Sequence, residues 1–157
     1  MKCAPAEAVS KIDSLKEENK SLSNEIEALK EKIAGGGLDA MKSSAVEIGG
    51  VKVIKGRFAD ADVNTLRKIG DSMKSEFDCE VCVTASEADG KVMLVCSANK
   101  AAVDKGIHCG MIVKNIAGFV GGSGGGRPDS AQAGGKDASG IDAALNAVEE
   151  IVKGQIK

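Results

Sequence analysis

Near the start of the chain, apolar residues recur with an alternating three-and-four spacing at Ala8, Ile12, Leu15, Leu22, Ile26, Leu29 and Ile33, with Asn19 in the one gap. This is a heptad pattern. Ile12, Asn19, Ile26 and Ile33 take one seam position and Leu15, Leu22 and Leu29 the other, which predicts a long helix with the narrow apolar stripe of a coiled coil. Isoleucine and leucine in these positions favour two strands, and a buried Asn19 pairing with itself fixes the register. Glu25 and Lys30 can pair across a parallel dimer, but Lys11 would face Lys16, so the orientation of the partner stays open. About 27 helical residues at ~1.5 Å each form a rod of roughly 40 Å, which cannot bury its own stripe. The stripe needs a second copy, a helix folded back beside it, or its own globular domain. Gly35-Gly36-Gly37 should stop the helix and act as a hinge, giving a helical subdomain over residues 1–37 and a globular domain over residues 38–157.

Beyond the hinge the periodicity alternates between two and 3.6. A short apolar stretch at Ala45 to Ile48, the turn Gly49-Gly50 and a strand at Val51 to Phe58 come first. Asp60 and Asp62 offer N-caps for a helix through Val63, Leu66, Ile69 and Met73. Cys79 to Ala85 and Val92 to Ser97 read as a β-hairpin turning at Asp89-Gly90. Helical patterns follow at Ala101 to Lys105, Cys109 to Phe119 and Ile141 to Val152. Strands and helices in this order predict an α/β (α+β) globular domain, a four- to five-stranded mixed sheet covered by helices, behind the coiled-coil helix.

Composition narrows the function. No apolar run approaches the roughly 20 residues that span a bilayer, so no membrane partner is expected. The first residues lack the apolar core of a signal peptide, which points to the reducing cytoplasm, with Cys3, Cys79, Cys82, Cys96 and Cys109 as free thiols. The net charge of −2 excludes a uniformly basic coat for nucleic acid, yet it averages two unlike segments. From Arg57 to Gly90 four cations stand against eight carboxylates, net −4, whereas from Lys91 to Pro128 five cations stand against Asp104 alone, net +4. With three phenylalanines and no tyrosine or tryptophan, contact with a nucleic acid is expected through backbone amides, Lys and Arg rather than through stacked rings.

Catalytic chemistry finds little support. Cys79-Glu80-Val81-Cys82 is a single C-x-x-C in a predicted strand, where residues three apart point to opposite faces, and no second pair stands at zinc spacing. Structural cysteines are expected. His108, the one histidine, sits between two predicted helices and is expected to be an exposed loop residue. Neither metal nor other cofactor is expected.

Gly118 to Gly140 holds nine of the 20 glycines in 23 residues. No Gly-Lys-Ser/Thr ends the run, so it is no Walker loop, and Arg127 stands where G-x-G-x-x-G would need its last glycine. Arg127-Pro128-Asp129 and Ala131-Gln132-Ala133 interrupt the glycines, and a helix with an apolar stripe Ile112, Ile116 and Phe119 leads in. These features favour an ordered anion-binding loop over a flexible linker: glycine amides approach a phosphate closely while Arg127 and Lys136 supply charge.

Gly121-Gly122-Ser123-Gly124-Gly125-Gly126-Arg127-Pro128-Asp129-Ser130-Ala131-Gln132-Ala133-Gly134-Gly135 closely resembles the signature near the C-terminus of bacterial-type alanyl-tRNA synthetases. The resemblance runs back through Asp89-Gly90-Lys91-Val92 and Gly106 to Ile116, on to the last helix and, with the heptads, over essentially the whole chain. It implies a non-catalytic piece of a larger ligase: a helical subdomain that mediates dimerisation and a globular subdomain related to the DHH-associated domain. That subdomain binds the outer corner of tRNA, here alanine tRNA, and helps aminoacylation and editing act on the same molecule. The implied partners are tRNA, the remainder of the synthetase and a second copy. The implied tRNA contacts are Lys91, Lys114, Gly124, Gly125, Gly126, Arg127, Gln132 and Lys136. The class II core, the zinc cluster of the editing domain and the Asp-His-His motif have no counterpart in these residues. Where the family often carries lysine between the glycine pair and triplet, this chain has Ser123, which shifts the expected load to Arg127 and Lys136.

Overall fold

The computed structural model describes residues 11–25, 41 and 43–156. The chain separates into two compact units, Met1–Gly35 and Gly36–Lys157. In the first, residues 11–25 form helix α1. Ile12, Leu15 and Leu22 are 52%, 58% and 53% exposed, so the described stretch of the stripe is uncovered. Ile26, Leu29, Ile33 and the glycine triplet at 35–37 lie outside the described residues.

The second unit begins with β1 (Val46–Ile48) and β2 (Val51–Ala59), joined by Gly49-Gly50. Both glycines have positive φ, 56° and 77°, the two-residue geometry whose twist matches that of the flanking strands. Helix α2 (Val63–Glu76) follows, capped by Asp62, whose carboxylate accepts from Thr65 N at 2.8 Å. Asp60, the other candidate cap, instead takes a positive φ of 52° in the turn out of β2. Strands β3 (Val81–Ala88) and β4 (Lys91–Ala98) form the expected hairpin, with Asp89 and Gly90 at φ 51° and 70°. Helices α3 (Lys100–Asp104) and α4 (Cys109–Ala117) come next, and a 3-10 turn, Gly118–Val120, extends α4. Strands β5 (Ser123–Gly126) and β6 (Ser130–Gly135) then lead to α5 (Ile141–Gln155).

The sheet has six strands in the order β1-β2-β3-β4-β6-β5. Only β2 and β3 run parallel, because α2 carries the chain across between them; the other neighbours are antiparallel. The count exceeds the expected four or five, since the glycine-rich segment is itself a hairpin at the sheet edge rather than a loop. Glycine is a poor strand former, which hides the two strands from the periodicity.

Alternation divides the core. Val81, Val83, Ala85, Leu94, Cys96, Ala131 and Ala133 face α4 and α5, where Ile112, Ile116, Ala144 and Val148 are fully buried. Each fully buried valine, leucine or isoleucine among them contributes roughly 1.5–3 kcal/mol. On the other face, α2 buries Leu66, Ile69 and Met73. A Cβ at Gly70 would strike Ser97 Oγ, so the glycine lets α2 lie close to the sheet.

Two local expectations change. Strand β3 starts at Val81, so Cys79 precedes it, and its thiol donates to Val81 O at 2.9 Å; the C-x-x-C does not lie within one strand. Cys79, Cys82, Cys96 and Cys109 are all buried free thiols, and Cys3 lies outside the described residues. Burial pushes the Cys79 thiol up to about 11 and the Cys82 thiol well above the usual thiol range. A hydrogen bond with Cys109 and burial raise Cys96 as well. His108 is no free loop residue: its Nδ1 accepts from Met111 N at 3.3 Å and caps α4.

Candidate nucleic-acid interface

Three backbone contacts fix the glycine hairpin against α4. Cys109 N donates to Pro128 O, Gly122 N to Ala117 O and Lys136 N to Val120 O, at 2.9–3.0 Å. Strand β5 therefore runs back along the helix that precedes it. Any Cβ at Gly110 of α4 would collide with the Gly126 carbonyl, and one at Gly124 with Ala133 of β6. Glycine is needed at both because helix and edge strands meet backbone to backbone.

Register assigns the triplet. Gly124 and Gly126 stand opposite Ala133 and Ala131, on the face that α4 covers, while Gly125 stands opposite Gln132 on the other. That second face is open at this end of the sheet, where Gln132, Gly134 and Ser123 are exposed. A groove of about 530 Å³ runs there, lined by Lys91, Met93, Gly121, Gly122, Ser123, Gly134, Gly135 and Lys136 among others. Val92 pairs with Gly135, which brings Lys91 and Lys136 to adjacent positions across β4 and β6. Like charges set opposite each other destabilise a ladder unless an anion shares them.

Some cations of this unit are paired and others are not. Lys55, Arg57, Lys74 and Lys105 each hold a carboxylate, Glu149, Asp142, Asp71 and Glu80 respectively. Lys91, Lys114 and Lys136 form no ion pair among the described residues. Arg127, in the turn between β5 and β6, has a side chain 80% exposed and 3.5 Å from Asp129. Its backbone N–H closes the turn on Ser130 O at 2.9 Å. Close by in chain, Asp137 accepts from the Ser139 hydroxyl and N–H, which holds its carboxyl below the usual range.

The eight predicted contacts thus fall in separate places. Lys91 and Lys136 share the groove, Gln132 and Gly125 lie on the same open face, Arg127 marks the far end of the hairpin, and Lys114 stands on the outer side of α4. Gly124 and Gly126 are occupied with strand and helix packing. The structure adds Arg67, which reaches from α2 to donate to Gln132 Oε1 at 2.7 Å. It belongs to the negative segment, so charge arithmetic along the chain could not bring it to this face.

No group of three or more His, Cys, Asp or Glu among the described residues is placed to hold a metal ion. No helix among them is long and apolar enough to cross a membrane.

Residues 50–154 match the family model described as the DHHA1 domain. The chain is 44% identical to alanine–tRNA ligase 1 of Lachnoclostridium phytofermentans and 44% identical to the alanine–tRNA ligase of Acetivibrio thermocellus, in each case over 99% of this chain and 18% of the relative. It therefore spans about a fifth of the length of these ligases. Among solved structures it is similar to the C-Ala domain of Aquifex aeolicus alanyl-tRNA synthetase, with a TM-score of 0.63 and 26% identity over 69% of this chain and 97% of that one. The chain belongs to the DHHA1 domain family, in the form that alanine–tRNA ligases carry.

Proposed function

We propose that this chain is a non-catalytic module of a cytoplasmic alanyl-tRNA synthetase that binds the outer corner of alanine tRNA and holds it for aminoacylation and editing. The observation that carries the reading is the pairing of Lys91 and Lys136, without carboxylate partners among the described residues, beside a groove walled by glycine backbone. Cations so placed attract phosphates, and backbone-walled grooves admit them closely. Arg67 reaches the same open face, while Arg127 and Lys114 add cations at the far end of the hairpin and on the outer side of α4. Selectivity then rests on the shape and 2′-hydroxyls of a folded RNA more than on base edges. Titration of labelled tRNA with the chain at two salt concentrations tests this: affinity should be measurable at low salt and fall steeply with added salt. Absence of affinity at low salt would overturn the reading.

A second role rests on a separate observation, the uncovered Ile12, Leu15 and Leu22 of α1. Together with Asn19, Ile26, Leu29 and Ile33 these residues form the seam of a homodimer, alongside contacts with the rest of the synthetase. A charge in the seam, Leu22→Glu, should shift sedimentation from dimer to monomer. A monomer in both samples at micromolar concentration removes the dimer, leaving the tRNA reading untouched.

A further inference from the structure

The side-chain amide of Gln132 has a fixed sense. Its Oε1 accepts from Arg67 Nη2 at 2.7 Å, and a guanidinium has donors only, so the oxygen faces α2 and the NH2 is turned away from it. Both residues are exposed, and Arg67 forms no ion pair among the described residues. Asp71, one turn further along the helix, is held by Lys74 at 2.9 Å. The pair therefore presents N–H donors and one uncompensated positive charge.

Strand register places this pair next to the groove. Met93, Gly134 and Ser123 stand opposite one another in β4, β6 and β5 and line it. Val95, Gln132 and Gly125 form the next row on the same face, about 7 Å along the strands. Helix α2 packs on β3 and β4 and leaves Gln132, Gly134 and Ser123 exposed. The glycines differ by face. A Cβ at Gly124 or Gly126 would strike β6, whereas one at Gly125 would meet nothing within 4 Å and one at Gly134 only the Val92 carbonyl at 3.9 Å. Neither Gly125 nor Gly134 has a positive φ. Packing does not require glycine at either position, and the missing side chains leave bare backbone beside Gln132, where a ligand can approach closely.

We propose that Arg67 and Gln132, with the bare backbone of Gly125 and Gly134 beside them, form a second subsite of the groove that takes a phosphodiester of the bound RNA. Arg67 supplies charge there and also holds the Gln132 amide with its NH2 outward. A phosphodiester fits because it is anionic and accepts hydrogen bonds without donating any. The inference rests on the tRNA reading and adds to it a contact separate from the lysine pair. Gln132→Glu keeps the shape and the link to Arg67 but exchanges the outward donors for a carboxylate. It should weaken tRNA binding about 10- to 100-fold, and more than Gln132→Met does, at an unchanged unfolding temperature. Arg67→Met should lose a similar factor and reduce the salt slope by about 0.7–0.9. Gly125→Val, which suits a strand better than glycine, should unfold no lower than the wild type and yet bind more weakly. Wild-type affinity in Gln132→Glu or in Gly125→Val, or equal affinity of Gln132→Glu and Gln132→Met, overturns the subsite. A loss in Arg67→Met with an unchanged slope places a neutral base or ribose acceptor there and overturns the phosphodiester. If the subsite fails while Lys91→Ala/Lys136→Ala still weakens binding, the tRNA reading stands; a wild-type chain without tRNA affinity at low salt overturns both.

Discussion

Replacing Lys91 and Lys136 together by alanine is the sharpest probe of the groove. Each phosphate neutralised by a protein cation releases counterions and adds about 0.7–0.9 to the slope of log K against log salt. If Lys91, Lys136, Arg67, Lys114 and Arg127 all touch phosphate, the wild-type slope is about −4, and affinity falls roughly 250-fold between 50 and 200 mM salt. The double variant should lower the slope to about −2.4 and the fall to roughly 30-fold, with Arg127→Ala alone lowering it by a little under one. Both lysines are exposed and free of ion pairs among the described residues, so their loss should leave the unfolding temperature unchanged. Fluorescence or filter binding of tRNA at four or five salt concentrations gives the slopes. A double variant that binds tRNA at wild-type strength and slope would refute the assignment of the groove, even if the chain binds RNA elsewhere.

Two consequences concern the scaffold. Gly110→Val should lower stability by about 1–3 kcal/mol, since the new side chain meets the Gly126 carbonyl; Gly118→Ala, with open space around it and helical dihedrals, should raise stability by roughly 0.5–1 kcal/mol, and thermal unfolding of the pair reads the opposite signs. The raised thiols make the fold sensitive to alkali: Cys79 ionises near 9 when unfolded and at about 11 when folded, so its contribution is complete below pH 9 and lost as pH rises through 11. Denaturant midpoints should fall over that window, and a Cys79→Ala/Cys82→Ala variant with an equally steep fall removes the explanation.

Most of the architecture follows from the order of residues because local chemistry and tertiary demand agree. Gly49-Gly50 and Asp89-Gly90 specify their turns by the positive φ they supply, Asp62 caps its helix through Thr65, and alternation in β3 and β4 matches a sheet covered on both faces. The failures share a cause. Strands β5 and β6 are written in glycine and alanine, and their pairing depends on neighbours distant in sequence: β6 on β4, and β5 on the helix above it. Nothing local in Ser-Gly-Gly-Gly announces a strand.

The candidate interface is legible to the extent that its charge is contiguous in sequence. Lys91, Lys114, Arg127 and Lys136 lie within or next to the one positive segment, so they stand out along the chain without the fold. Arg67 does not, because it sits among carboxylates along the chain and reaches Gln132 only through the crossing of α2 over the sheet. Phe119 misleads for the opposite reason: its spacing from Ile112 and Ile116 fits an α-helix that in fact ends two residues earlier. A shift from 3.6 to about three residues per turn over three residues suffices to move a ring from core to surface.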